Sequence, residues 1–237
     1  MVGPYVNATA VLVGSLAGAL LGDRLSRNLR TRMPMVFGCA SMGLGIAMVV
    51  KVNSLPPMVL ALVLGSLVGE LAHLETGIQK LASKTRKLIE KIAKPTSDVS
   101  HEEFLEKFVA IMVLFCVSGT GIFGAMSEGM TGDATLLIVK AILDLFTSAI
   151  FAATLGYTVA TLMIPQFIIQ VGIFLGASLV VPLATPGMTA DFSACGGLIM
   201  LATGFRICGI KQFPVANMVP SLFIIMPLSA LWARFFG

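Results

Sequence analysis

The sequence predicts an all-α, polytopic membrane protein of about eight transmembrane helices, with helices 1–3 and 6–8 related as an inverted repeat. Three observations lead there. Of 237 residues, 57% are hydrophobic and 12% charged, with a mean hydropathy of +0.95; a soluble domain carries about 45–50% apolar and about 25% charged residues. The apolar residues form continuous runs near the roughly 20 residues a spanning helix needs, not the alternation of transmembrane strands. The basic residues also fall almost wholly on one side of those runs. Sixteen basic and 12 acidic side chains cannot coat a soluble protein of this size, which excludes a disordered chain and a soluble single-domain enzyme.

The spans are read at 4–22, 34–51, 56–73, 107–127, 134–158, 162–183, 194–209 and 215–234. The first has no basic residue ahead of it, so it reads as a span and not a cleavable signal. Asn7-Ala8-Thr9 matches a glycosylation sequon but lies inside that apolar run. The second and third are separated by the turn before Pro56, and Pro favours a helix start. The fourth carries Ser118-Gly119-Thr120-Gly121 near its middle, where the helix either packs closely on small residues or unwinds. The fifth holds Lys140 and Asp144, the sixth Gln166 and Gln170, the seventh is short, and the eighth opens on Asn217. Together they form one transmembrane domain, 1–237.

All basic residues except Lys51, Lys140 and Arg234 fall in the 1–2 loop, the 3–4 segment and the 7–8 region. The positive-inside rule places these on the cytoplasmic side and both termini outside. Segment 74–106 carries Leu74, Ile78, Leu81, Leu88 and Ile92 at helical spacing among Lys and Arg, ending at Pro95. It reads as a basic amphipathic helix on the anionic inner leaflet, either an anchor or a docking surface.

An ungapped shift of 158 residues aligns spans 1–3 with spans 6–8, matching Gly14/Gly172, Gly18/Gly176, Gly38/Gly196 and Pro56/Pro214. Five helices separate the units, so the second is inverted, as in many secondary transporters. The Gly-xxx-Gly pairs Gly14/Gly18, Gly65/Gly69 and Gly172/Gly176 would pack within one subunit or between copies in a homo-oligomer.

Polar residues inside the spans carry the functional argument, because a charge at the bilayer centre is costly. Lys140 and Asp144 are four apart on one helix face and can pair. They are either a structural ion pair or a substrate or ion site, with Thr147, Ser148, Thr154 and Thr158 continuing the polar stripe. Ser118 and Thr120 would line an unwound segment or serve close packing. Glu70, with His73 and Glu75, is an interfacial anchor or a proton-carrying gate. Gln166, Gln170, Asn7 and Asn217 would bond across helices or bind a polar solute. Glu128 and Asp133 bracket an external turn and read as solvated.

The candidate substrate or ion site is therefore Lys140, Asp144, Ser118, Thr120, Ser148, Gln170, Asn217 and Glu70. Neither a catalytic constellation nor a cofactor or metal motif is present. Cys39, Cys116, Cys195 and Cys208 match no zinc or disulfide spacing and read as small buried hydrophobes. The basic stretches are explained by topology, so no nucleic acid is implied. The partners expected are the lipid bilayer and a small solute or ion.

Asn7-Ala8-Thr9-Ala10, Leu21-Gly22, the run Leu64 to Glu70, Phe115-Cys116 through Gly132-Asp133, Lys140 to Asp144 with Ser148, and Ala216 to Pro220 together resemble the YqgA-like family. That domain-of-unknown-function group comprises bacterial inner-membrane proteins commonly labelled as transport proteins. The resemblance covers essentially the whole chain and implies an inner-membrane location without a mechanism. Where the family pattern has Gly after the span-6 Gln, Val171 follows Gln170 here, so the resemblance assigns Gln170 no role. Three functions follow: a small-solute or ion transporter, a membrane sensor or scaffold acting through 74–106, and a channel.

Overall fold

The structure, a computed structural model, describes residues 1–21, 27–78, 80, 104, 108, 111–112, 114–116, 118–178 and 184–236. Among these residues the fold is helical, with no strand. Five stretches are helices long and apolar enough to cross a membrane: Gly3–Leu21, Arg32–Val49, Thr135–Ala177, Pro186–Ile207 and Val215–Phe236; Leu55–Leu71 is apolar but shorter. These are the spans among the described residues; part of the fourth expected span, 107–127, lies outside them. Most of the 74–106 segment lies outside the described residues.

The helices are α1 (Gly3–Leu21), α2 (Arg27–Val49), α3 (Leu55–Leu71), α4 (Gly119–Thr131), α5 (Thr135–Leu155), α6 (Met163–Ser178), α7 (Pro186–Ile207), α8 (Val215–Met218) and α9 (Ser221–Phe236). Local chemistry sets their ends. Ser118 caps α4 by accepting from the Gly121 amide at 3.1 Å, so the expected 107–127 span is interrupted and α4 starts in the interior. Gly132, at φ 76°, closes α4 in the left-handed region where a Cβ would be strained. Thr185 caps α7 and Pro186 occupies its first turn, so this helix begins at 186 and not at 194. The eighth expected span is divided between α8 and α9 by the turn at Val219-Pro220.

The stretch Thr135–Ala177 is not one rod. Gly156, at φ 69°, turns the chain into a 3-10 helix, Gly156–Leu162, and α6 then runs back beside α5. The return is fixed by a bond between Gln166 and Asp144, 22 positions apart in sequence.

Close backbone contact at glycine sets the helix pairs. A Cβ at Gly45 would lie 2.5 Å from the Gly197 carbonyl oxygen, and one at Gly38 would lie 2.8 Å from that of Gly204, so α2 and α7 are antiparallel. Gly65 meets Ser221 and Gly69 meets Asn217, which makes α3 and α9 antiparallel with α8 extending the contact. Gly14 meets Leu145 and Gly18 meets Ala149, so α1 and α5 run parallel. Gly129 meets Phe174 and Ala177, bringing the ends of α4 and α6 together. Gly172 and Gly176 instead face open space.

Two apolar clusters fill the interior. One is methionine-rich, with Met58, Met126, Met188, Met200 and Met226 around Phe123 and Phe192. The other packs Phe104, Phe108, Ile111 and Phe115, one helical face, against Val11, Leu155, Val159 and Leu162. Among the cysteines, Cys116 and Cys195 are buried as expected, whereas Cys39 is exposed and Cys208 half-buried.

Candidate functional site

The sequence-derived site residues divide into two groups. In the interior, Lys140 Nζ lies 2.6 Å from Asp144 Oδ2, and Gln166 Nε2 donates to the same oxygen at 2.7 Å. Lys140, Asp144 and Gln166 are 3%, 6% and 1% exposed. The pair sits on α5 about 8 to 14 Å from its Thr135 end at 1.5 Å per residue, well below the surface. The Lys140 stem lies against the first turn of α4, where a Cβ on Gly121 would be 2.8 Å from its Cε and 3.0 Å from Ser118 Oγ. Its ammonium is 5.8 Å from the centre of the Phe115 ring, within cation–π range. Ser118 Oγ and the Lys140 stem thus flank Gly121 at the same turn.

Thr120 sits one residue before Gly121 but faces α2, where Ser41 Oγ is 3.4 Å away and itself donates to the Met200 carbonyl. Ser148 is buried where α5 touches Gly14 of α1, and it donates to the Leu145 carbonyl at 3.0 Å. Thr147 likewise bonds back to Leu143 within α5. Gln170 is buried one turn beyond Gln166, and neither atom of its amide has a partner among the described residues. Both amide atoms of Asn7, Ser15 Oγ and Gln166 Oε1 share that condition.

Glu70 and Asn217 are at the opposite end of the bundle. Asn217 Nδ2 donates to Glu70, and its Oδ1 accepts from the Glu75 amide at 2.7 Å. Glu75 in turn pairs with Arg206 at 2.7 Å and accepts from the Ala216 amide at 3.0 Å. This network joins the segment after α3 to α7 and α8, and no bond among the described residues joins it to Lys140 or Asp144.

Two buried carboxylates escaped the sequence reading. Asp191 is 0% exposed; it accepts from the amides of Asn53 and Ser54 at 2.9 and 2.6 Å and from Ser229 Oγ at 2.6 Å. It was hidden because the seventh span was started after it; the Thr185-Pro186 helix-start signal would have included it. Glu128, expected in a solvated turn, is buried and accepts from the amides of Val2 and Gly3. Glu128, Asp191 and Glu75 therefore each hold backbone N–H groups at the start of another helix, where the helix dipole favours negative charge. Asp133 does remain exposed; Thr135 hydrogen bonds, first from its hydroxyl and then from its amide, hold the carboxyl below its ordinary range.

Against this geometry the sequence comparisons are decisive for family and silent on chemistry. The family described as "Protein of unknown function (DUF554)" matches residues 2–230. The chain belongs to the DUF554 family. It is 53% identical over 237 residues to the uncharacterized protein YqgA of Escherichia coli (strain K12), covering 100% of both chains. It is 26% identical over 228 residues to the uncharacterized membrane protein YdfK of Bacillus subtilis (strain 168), covering 94% of this chain and 93% of that protein. No solved structure matches. As a DUF554 protein with several apolar helices, the chain is a membrane protein.

Proposed function

We propose that the chain carries a small solute across the bacterial inner membrane, with no enzymatic step and with both termini on the periplasmic side. One observation carries the reading. A helix that starts in the protein interior, α4 at Ser118, presents its first turn to a buried Lys140–Asp144–Gln166 cluster. Interrupted helices facing buried charge are how many carriers build a binding site away from lipid. The pairing of helices supports it further. Shifting α1, α2 and α3 onto α6, α7 and α8–α9 turns each antiparallel pair, α2 with α7 and α3 with α9, into itself, and exchanges α1–α5 for α6–α4. That is the contact pattern an inverted repeat would produce. Alternating access then requires α4 or α6 to move, since Lys140 and Asp144 are buried.

The test is solute efflux from vesicles. The purified chain is reconstituted into liposomes loaded with a defined mixture of small metabolites and ions, and the external medium is analysed over time. At least one solute should leave faster than from empty liposomes, and Asp144→Asn should abolish the difference. If the protein vesicles match empty liposomes for every solute, the carrier reading fails.

A further inference from the structure

The cluster at the start of α4 has hydrogen-bonding capacity left over on both sides, and that surplus specifies a ligand class. On the donor side, the Lys140 ammonium has three N–H groups, and among the described residues only Asp144 Oδ2 takes one. The first N–H groups of a helix have no acceptor within it, and Ser118 Oγ takes only that of Gly121. The starts of α1, α3 and α8 each face a carboxylate. Here the neighbouring side chain is a lysine, so charge and dipole together favour an incoming anion.

On the acceptor side, Gln166 Oε1 has no partner among the described residues although the residue is 1% exposed. Its Nε2 is pinned to Asp144 Oδ2 at 2.7 Å, so the two ends of one planar amide place Oε1 beside the same ion pair. Asp144 Oδ1 takes no hydrogen bond from any described residue. A carboxylate oxygen that takes no bond from a described residue, on a side chain 6% exposed, and a buried amide oxygen with no partner among those residues call for a donor, preferably a charged one.

Resting on the carrier reading of this site, we infer that its ligand is a small zwitterion of the α-amino-acid class. The carboxylate is held by the Lys140 ammonium beside the first turn of α4, and the ammonium sits on Asp144 Oδ1 and Gln166 Oε1. Net charge favours the same class. Lys140 and Asp144 cancel, so a neutral zwitterion adds no uncompensated charge to a dry interior, whereas a simple anion or cation would.

The experiment measures binding and needs no transport. Thermal unfolding of the full chain in detergent is followed with each standard L-amino acid in turn, and with the deaminated carboxylate and decarboxylated amine of any that act, at matched ionic strength. At least one amino acid should raise Tm saturably, and its carboxylate and amine analogues should each bind roughly tenfold or more weaker, about 1.4 kcal/mol. Gly121→Ala keeps every charge and pushes the Lys140 stem off the α4 turn, so it should weaken binding by a similar factor. Lys140→Gln with Asp144→Asn keeps a neutral, hydrogen-bonded pair and should lose binding while remaining folded. The inference is overturned if no amino acid stabilises the wild type beyond sodium chloride, if the deaminated carboxylate binds as well, or if the double variant binds equally. Amino-acid binding without vesicle efflux would sink the carrier reading and leave this one standing. Asp144-dependent efflux of another solute class, with no amino-acid binding, would do the reverse.

Discussion

Gly45 and Gly197 meet backbone to backbone: a methyl group on either would lie 2.5 or 2.6 Å from the other's carbonyl oxygen. Seven residues along each helix, Gly38 and Gly204 repeat the contact in the same reciprocal way. In lipid, helices gain little from burying apolar side chains against one another, so close backbone approach carries much of the association. The α2–α7 pair is therefore joined along a backbone-to-backbone seam.

Gly197→Ala should destabilise the fold by about 1–3 kcal/mol, the usual cost of overpacking against atoms that cannot yield. Gly43→Ala, on the same α2 but with open space around it, should be neutral or slightly stabilising, because alanine is the better helix former. Thermal unfolding of the two variants in one detergent separates them; equal effects would mean the seam does not hold the pair.

The Lys140–Asp144 pair predicts a non-additive double-mutant cycle. Lys140→Met alone strands Asp144 and should cost about 3–5 kcal/mol, as should Asp144→Leu in stranding Lys140. Together they should cost far less than the sum, since two apolar side chains replace two mutually compensated charges. Additive losses in unfolding free energy would mean that the two side chains are solvated separately.

Asp191 offers a contrast. Asp191→Ala leaves the amides of Asn53 and Ser54 and the hydroxyl of Ser229 without their acceptor, at about 1–3 kcal/mol for each that stays unsatisfied. Asp191→Asn retains one acceptor oxygen and should recover part of the loss. Hydrogen exchange at Ser54 reports the site directly: protection should fall sharply in Asp191→Ala and less in Asp191→Asn. Unchanged protection in both variants would show that the carboxylate is not what holds this turn.

These residues also show what could be read in advance. The Lys140–Asp144 pairing follows from their spacing on one helix, and the break at Ser118 follows from a Ser-Gly-Thr-Gly run that is a poor helix interior. That Gln166 completes the cluster, that Thr120 turns to Ser41 instead, and that Glu70 and Asn217 form a second network with Arg206 depend on which helices pack together. That packing is set by glycines whose matching partners lie far away in sequence. Hydropathy finds an apolar run and is blind to its facing. It also misjudged Glu128 and passed over Asp191, because an acidic residue near a span end looks the same whether it meets water or the start of another helix.

Asp133 gives a prediction with a defined pH sign. Thr135 donates to it through hydroxyl and amide, at 2.9 Å for the amide, and these bonds favour the charged carboxylate and lower its pKa. A carboxyl depressed in the folded state contributes stability above its ordinary pKa near 3.9, and that contribution disappears as pH falls through the lower, folded value. Asp133 is exposed, so screening keeps the gain to about 0.5 kcal/mol or less. Asp133→Asn and Thr135→Val should thus lower Tm slightly at neutral pH and match the wild type once pH falls below the folded pKa. Raising salt at neutral pH should shrink the difference in the same direction. A gap between wild type and Asp133→Asn that persists at the lowest pH would show that the side chain acts by shape and not by charge.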